Sequence, residues 1–219
     1  MDLCVIRTGS LGMLGFCFAH FYKQSLLYDV SWSEKKILSI RAVAGAIGYA
    51  SLTYAVGNLP LLVWTLLVNT APFWTAILGF YILKERISTF EFICLFGCFS
   101  GVVILAFASS QNEVNLTQQS YVMHPIFGMV CGILNALGYS TVIVVTRKVK
   151  HIHFSLVLLS YGIIATTLYT LWVLVEFATD STWTEVWPRI FYYNRHQWFY
   201  LALISIMNAI SMTFATLAF

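Results

Sequence analysis

The chain alternates between long apolar runs and short polar stretches. Seven runs are long enough to cross a bilayer core, for which a helix needs about 20 residues. They are Val5–Tyr22, Ile37–Leu59, Leu61–Leu83, Phe90–Ser109, Pro125–Thr146, Phe154–Val175 and Trp198–Phe219. Each is predicted to be a helix, because lipid offers no partner for backbone N–H and C=O groups and a helix satisfies them within one segment. The first run is the weakest, being rich in glycine and carrying Arg7. Pro60 and Pro125 fall at run boundaries, Pro188 falls in a loop, and Pro72 lies mid-run. A mid-helix proline removes a backbone donor, so the third helix is expected to bend and to free a carbonyl beside Asn69.

Composition agrees with the pattern. Of 219 residues, 59% are hydrophobic, 16% aromatic and 10% charged, and the mean hydropathy is +0.80. A soluble domain carries about 25% charged residues, and a globule with far fewer cannot cover its surface. The expected fold class is all-α: a polytopic membrane protein of about seven transmembrane helices. A disordered chain, a secreted disulfide scaffold and a nucleic-acid-binding domain are excluded. No signal-peptide pattern is present, since no basic segment leads in and Arg7 interrupts the first run. Cys4, Cys17, Cys94, Cys98 and Cys131 lie inside apolar runs without metal-ligand or CxxC spacing. They read as small buried residues, and no metal or cofactor is expected.

Charge sorts the loops. Lys23, Lys35 and Lys36 follow the first run, Lys84 and Arg86 the third, and Arg147, Lys148 and Lys150 the fifth. The turn at Asn58-Leu59-Pro60 and the loop from Ser110 to His124 have no Lys or Arg. The last loop has Arg189 and Arg195, diluted by Asp180 and Glu185. By the positive-inside rule the first, third and fifth loops are cytoplasmic, which puts the N-terminus outside or lumenal and the C-terminus in the cytoplasm. The sequon Asn115-Leu116-Thr117 falls in a loop assigned outside.

Ser51-Leu52-Thr53-Tyr54-Ala55 in the second run and Ser211-Met212-Thr213-Phe214-Ala215 in the seventh share one pattern. The two runs are five spans apart, and an odd separation means that they traverse the membrane in opposite senses. Inverted repeats of this kind build many secondary transporters.

From Arg41 to Ser109 the chain resembles the EamA-type repeat of the drug/metabolite transporter superfamily, in the branch grouped with eukaryotic solute carriers. The residues that carry the resemblance are Arg41, Gly45 and Gly48, Tyr54-Ala55, Leu59-Pro60, Ala71-Pro72, Leu83-Lys84-Glu85-Arg86-Ile87-Ser88, Glu91, Gly97 and Gly101-Val102-Val103. Pro125–Lys150 looks like the opening helix of a second repeat. The resemblance implies ten spans in two inverted halves of five. Aligned that way, the chain lacks the family's first span and last two. Residues 1–110 then form a first repeat without its first helix, 111–124 an outer loop, and 125–219 a second repeat without its last two helices. A fragment, an incomplete gene product and a subunit that needs a partner all fit that departure.

Transport requires polar groups at membrane depth, where uncompensated ones are costly. Arg7 and Arg41 are the charged residues well inside runs. Each is near enough to an end to snorkel, and Arg41, which falls on the family pattern, is the better candidate for drawing an anionic or zwitterionic solute. Thr65, Asn69, Pro72, Ala76 and Gly79 share one helical face of the third run. Gly128, Gly132, Asn135 and Tyr139 form a comparable stripe in the fifth, Ala44, Gly48, Ser51 and Ala55 in the second, and Asn208, Ser211 and Ala215 in the seventh. Close helix packing accounts for the Gly and Ala positions. Asn69, Asn135 and Asn208 are candidate solute contacts, and Tyr54, Trp64 and Tyr139 candidate cavity walls. Gly97-x-x-x-Gly101 and Gly128-x-x-x-Gly132 join helices within the chain or between two copies, as a homodimer. Ser88 and Glu91 form a capping box, and Trp183, Trp187, Tyr192, Tyr193, Trp198 and Tyr200 an interfacial aromatic belt.

The function expected is transport of a small metabolite by alternating access. No Asp or Glu lies deep in a run, so facilitated exchange or diffusion is favoured over proton coupling. The competing readings are a seven-span receptor and a non-transporting assembly subunit. An enzyme is not expected: the histidines lie in loops or at run ends, and no Gly-x-Ser-x-Gly or intramembrane Asp pair occurs. Expected partners are a small-molecule solute and membrane lipids, with no nucleic acid, in the plasma membrane or an endomembrane.

Overall fold

The computed structural model describes residues 2–23, 30–85, 88–90, 92–97, 99–101, 104, 125–149, 152–179, 198–200, 202–204, 206–207, 210–211 and 214. The helices are α1 (Asp2–Phe21), α2 (Trp32–Asn58), α3 (Leu61–Val68), α4 (Ala71–Leu78) with a π-helical turn at Gly79–Leu83, α5 (Phe92–Gly101), α6 (Pro125–Lys148) and α7 (Phe154–Thr179). Among the described residues there is no strand.

Among the described residues, five segments are long and apolar enough to cross a membrane: Cys4–Phe21, Trp32–Asn58, Val63–Leu83, Phe127–Lys148 and Phe154–Val175. They are the first, second, third, fifth and sixth predicted runs. α5 covers part of the fourth, and helical residues between 198 and 214 fall in the seventh. The sequon at Asn115 and the aromatic belt before Trp198 lie outside the described residues.

The chain divides into two compact units. One comprises Met1–Ala46 with Val145–Phe219, the other Ile47–Val144. Each draws on both of the repeats read from the sequence.

In the first unit, α1 packs along α7 through glycine. A Cβ on Gly12 would meet the backbone of Gly162 at 3.3 Å, and one on Gly15 would meet the Leu159 backbone nitrogen at 2.7 Å. A Cβ on Gly162 would overlap the backbone of Gly12. Gly9 faces Thr166, and the Phe18 and Phe154 rings meet edge to face at 5.8 Å. Numbers rise along α1 as they fall along α7, so the pair is antiparallel. Without a hydrophobic driving force between helices in lipid, backbone approach over small residues is the main source of association. The Gly-x-x-Gly-x-x-Gly spacing of Gly9, Gly12 and Gly15 places all three on one face. At one end of the same unit, Ala19, Val30, Leu38, Val149, Leu156 and Val157 form a buried cluster. The Ser31 backbone N–H donates to Glu34 Oε2 at 2.8 Å, one half of a capping box that starts α2.

Helix directions follow strict threading. α2 and α7 run parallel: Leu38 packs with Leu156 and Val157, and Tyr169 Oη donates to the Ala46 carbonyl at 2.6 Å. In the second unit α2 and α6 run antiparallel, with Gly48 against Gly138 and the Tyr54 and Phe127 rings 5.0 Å apart. The third span runs parallel to α6: Leu59 meets Gly128, Leu67 meets Gly132, and Ala71 meets Ser140. A chain that leaves one span and enters a parallel one has to cross the bilayer an odd number of times in between. α5 lies in that interval.

Gly162→Leu and Gly15→Leu are expected to lower stability by at least the 1–3 kcal/mol typical of overpacking, about the range seen in tightly packed cores. Gly57, which has open space around its Cβ position, should tolerate alanine with a change of no more than about 0.5 kcal/mol. Thermal unfolding of the purified variants in detergent measures both.

Candidate solute site at the break in the third span

The third span is not one helix. Pro72 has no N–H to give the carbonyl of Val68, and its ring crowds the preceding turn. The helix therefore ends at Val68 and restarts at Ala71, with Thr70 as N-cap and Pro72 in the first turn, where its missing donor is harmless. Asn69 and Thr70 bridge the gap with φ/ψ of −67°/−6° and −77°/−10°. Thr70 N–H turns back to the Leu67 carbonyl at 3.1 Å and its hydroxyl donates to the same carbonyl at 2.7 Å. The Phe73 N–H goes to the Thr70 carbonyl at 3.0 Å. Non-helical backbone at membrane depth is tolerated where protein or a water-lined cavity surrounds it.

The break resets the register of the third span. Thr65, Asn69 and Pro72 are all exposed, whereas Gly79 of the same stripe is buried. On α2, Gly48, Ser51 and Ala55 are buried and Ala44 is half-buried; on α6, Gly128, Gly132 and Asn135 are buried and Tyr139 is exposed.

α6 holds the break in place. Ser140, fully buried, has its Oγ 2.8 Å from the Ala71 carbonyl and 2.8 Å from the Ala136 carbonyl of its own helix. Its single proton serves one or the other, so the hydroxyl ties α4 to α6 at the first residue after the gap. Gly128 and Gly132 receive Leu59 and Leu67; a Cβ there would meet those side chains at 3.0 and 2.6 Å. This is the packing role read for the second small-residue motif. Gly97 and Gly101 meet nothing within 4 Å among the described residues.

Below the break, Ala55, Leu59 and Cys131 form a buried cluster with Tyr54, Val63, Trp64 and Leu67 packed against it. Trp64 is half-buried, yet its indole Nε1 is shielded and has no hydrogen-bond partner among the described residues. A donor left in that condition costs roughly 1–3 kcal/mol. Tyr54 and Trp64 thus pack against the same cluster, Asn135 is buried on α6, and Asn69 and Tyr139 are exposed. These five candidates fall in one compact unit.

Arg41 falls in the other unit. It is 3% exposed, and its Nε donates to Thr146 Oγ1 at 2.7 Å, joining α2 to the end of α6. Asn208 lies outside the described residues. Four cysteines, Cys4, Cys17, Cys94 and Cys131, are free thiols. Among the described residues no group of His, Cys, Asp or Glu is arranged to hold a metal ion. Sequence reasoning missed the Ser140 tie and the Trp64 donor. The first depends on a contact between residues 69 positions apart. The second depends on what surrounds an aromatic ring in an aromatic-rich chain.

The arrangement is that of an all-α polytopic membrane protein with a broken helix in one of its spans. Residues 1–107 match the family model described as the EamA-like transporter family. This agrees with the drug/metabolite transporter superfamily read from the motifs. Neither a curated protein nor a solved structure matches the chain.

Trp64→Phe keeps the ring and removes the shielded donor, so stability should stay within about 0.5 kcal/mol or rise by about 1 kcal/mol. Ser140→Ala removes the tie to Ala71 and should cost about 1 kcal/mol. Both are read from unfolding midpoints in detergent.

Proposed function

We propose that the chain carries a small metabolite across a membrane by alternating access, as facilitated exchange or diffusion. The observation that carries this reading is the break at Asn69–Thr70, where Pro72 has no N–H for the Val68 carbonyl and the exposed Asn69 stands between two helical segments of one membrane span. Discontinuous spans of this sort form the solute sites of many secondary transporters. The match of residues 1–107 to a transporter family supports it.

In this reading Asn69 opens from the gap into the solute path. Asn135 and Tyr139 line the path from α6, and Tyr54 and Trp64 wall it. Arg41 adds attraction for an anionic or zwitterionic solute, and Asn208, from the last run, is a further candidate contact. The chain is organised as two repeats of opposite sense, residues 1–110 and 125–219, joined by 111–124. The antiparallel glycine contact of α1 with α7 supports that organisation, because a two-fold axis in the membrane plane brings equivalent spans together in opposite directions. The charge pattern supports an N-terminus outside or lumenal and a C-terminus in the cytoplasm.

Uptake into proteoliposomes, against a panel of anionic and neutral metabolites, tests the reading. Asn69→Ala and Arg41→Ala, each inserted normally, should lower uptake about tenfold, the worth of one desolvated hydrogen bond. Normal uptake in both variants would reject these site assignments, and no uptake of any metabolite by the wild type would reject transport.

A further inference from the structure

A cavity lies in the first unit, between the beginning of α2 and the first half of α7. It has a volume of about 140 Å³ and is lined by Lys35, Leu38, Ser39, Ser160, Ile163 and Ile164. None of these residues belongs to the solute site. Its polar content is smaller than the names suggest. Ser39 Oγ donates to the Lys35 carbonyl at 2.9 Å and Ser160 Oγ donates to the Val157 carbonyl at 2.9 Å. Both hydroxyl protons are directed to their own helices, so the slot presents carbon along its length. Leu38, buried, forms its inner wall, and the exposed Ile163 leaves it open at the side. The cationic group in the lining is Lys35, near the start of α2.

The surroundings of that lysine extend the positive end. Lys36 Nζ lies 5.9 Å over the ring of Trp32, which is exposed at the helix start. Tryptophan and lysine in the first turn of a membrane span mark headgroup depth. Glu34, the neighbouring carboxylate, accepts from the Ser31 backbone N–H at 2.8 Å.

We propose that this slot binds one anionic glycerophospholipid, with an acyl chain along Leu38, Ile163 and Ile164 and the headgroup phosphate and carboxylate on Lys35. An apolar slot open to the side with a cation at its headgroup end complements an anionic amphiphile. A soluble metabolite would find one charged partner and no polar lining. Basic pockets between spans at headgroup depth take anionic lipids for the same electrostatic reason.

The test uses the purified full chain in detergent with equal amounts of phosphatidylserine and phosphatidylcholine, and measures the lipid that stays with the protein. Wild type should retain phosphatidylserine over phosphatidylcholine by about fivefold, the order expected for one lysine at the membrane surface. Lys35→Gln should bring the ratio near one, and Lys35→Arg should restore it. Ile163→Trp, which fills the slot and keeps the lysine, should release both lipids. Unfolding midpoints establish that each variant is folded. Equal retention by wild type, or a preference unchanged in both Lys35→Gln and Ile163→Trp, would overturn the proposal. So would retention of oleate in place of phosphatidylserine, because the occupant would then be a free fatty acid. None of these readouts depends on transport.

Discussion

Every backbone polar group inside lipid has to be satisfied by the protein itself. That constraint makes the chain helical, and it makes the one interruption in the third span informative. Outside the gap, hydroxyls repeat the same solution locally: Thr8, Ser39, Thr53, Thr75, Thr141, Thr167 and Thr170 each donate to the carbonyl four residues back. Beside the gap, the Ala71 carbonyl that takes the Thr75 hydroxyl also has the buried Ser140 Oγ of α6 at 2.8 Å, which adds a contact between the two helices.

Association between helices in this chain rests on close approach. The Gly12–Gly162 contact lets the backbones of α1 and α7 touch, and Gly48 and Gly138 do the same for α2 and α6. Gly128 and Gly132 work differently, accepting leucine side chains from the third span and the turn before it. Small residues thus serve two geometries: backbone on backbone, where the crossing is closest, and side chain in hollow, where the neighbour brings bulk. Arg41 adds a third kind of contact. It holds α2 to α6 through Thr146 from a buried position, so its charge stays inside the protein near one end of the span.

Much of this was legible from residue order. Run length predicted the five spans, because the bilayer imposes one length on any crossing helix. Pro72 predicted a bend; the helix instead stops and restarts, with the gap at Asn69 and Thr70, since proline disturbs the turn before it and is at home in the first turn after it. The α6 stripe was legible because no proline interrupts it. Long-range partners were not: Arg41 with Thr146, Tyr169 with Ala46, and Gly12 with Gly162 are each set by how spans neighbour one another. The start of α2 at Ser31 and Glu34 could have been found by the same capping rule that was applied to Ser88 and Glu91.

The central claim is that successive spans alternate in direction, so that the third span and α6 run parallel and the chain between them crosses the membrane. Cysteines introduced singly at Lys84 and at His124, in a background free of other cysteines, test this with a membrane-impermeant maleimide applied to sealed vesicles or cells. The account predicts that the two positions label from opposite sides of the membrane. Labelling of both from the same side would contradict it.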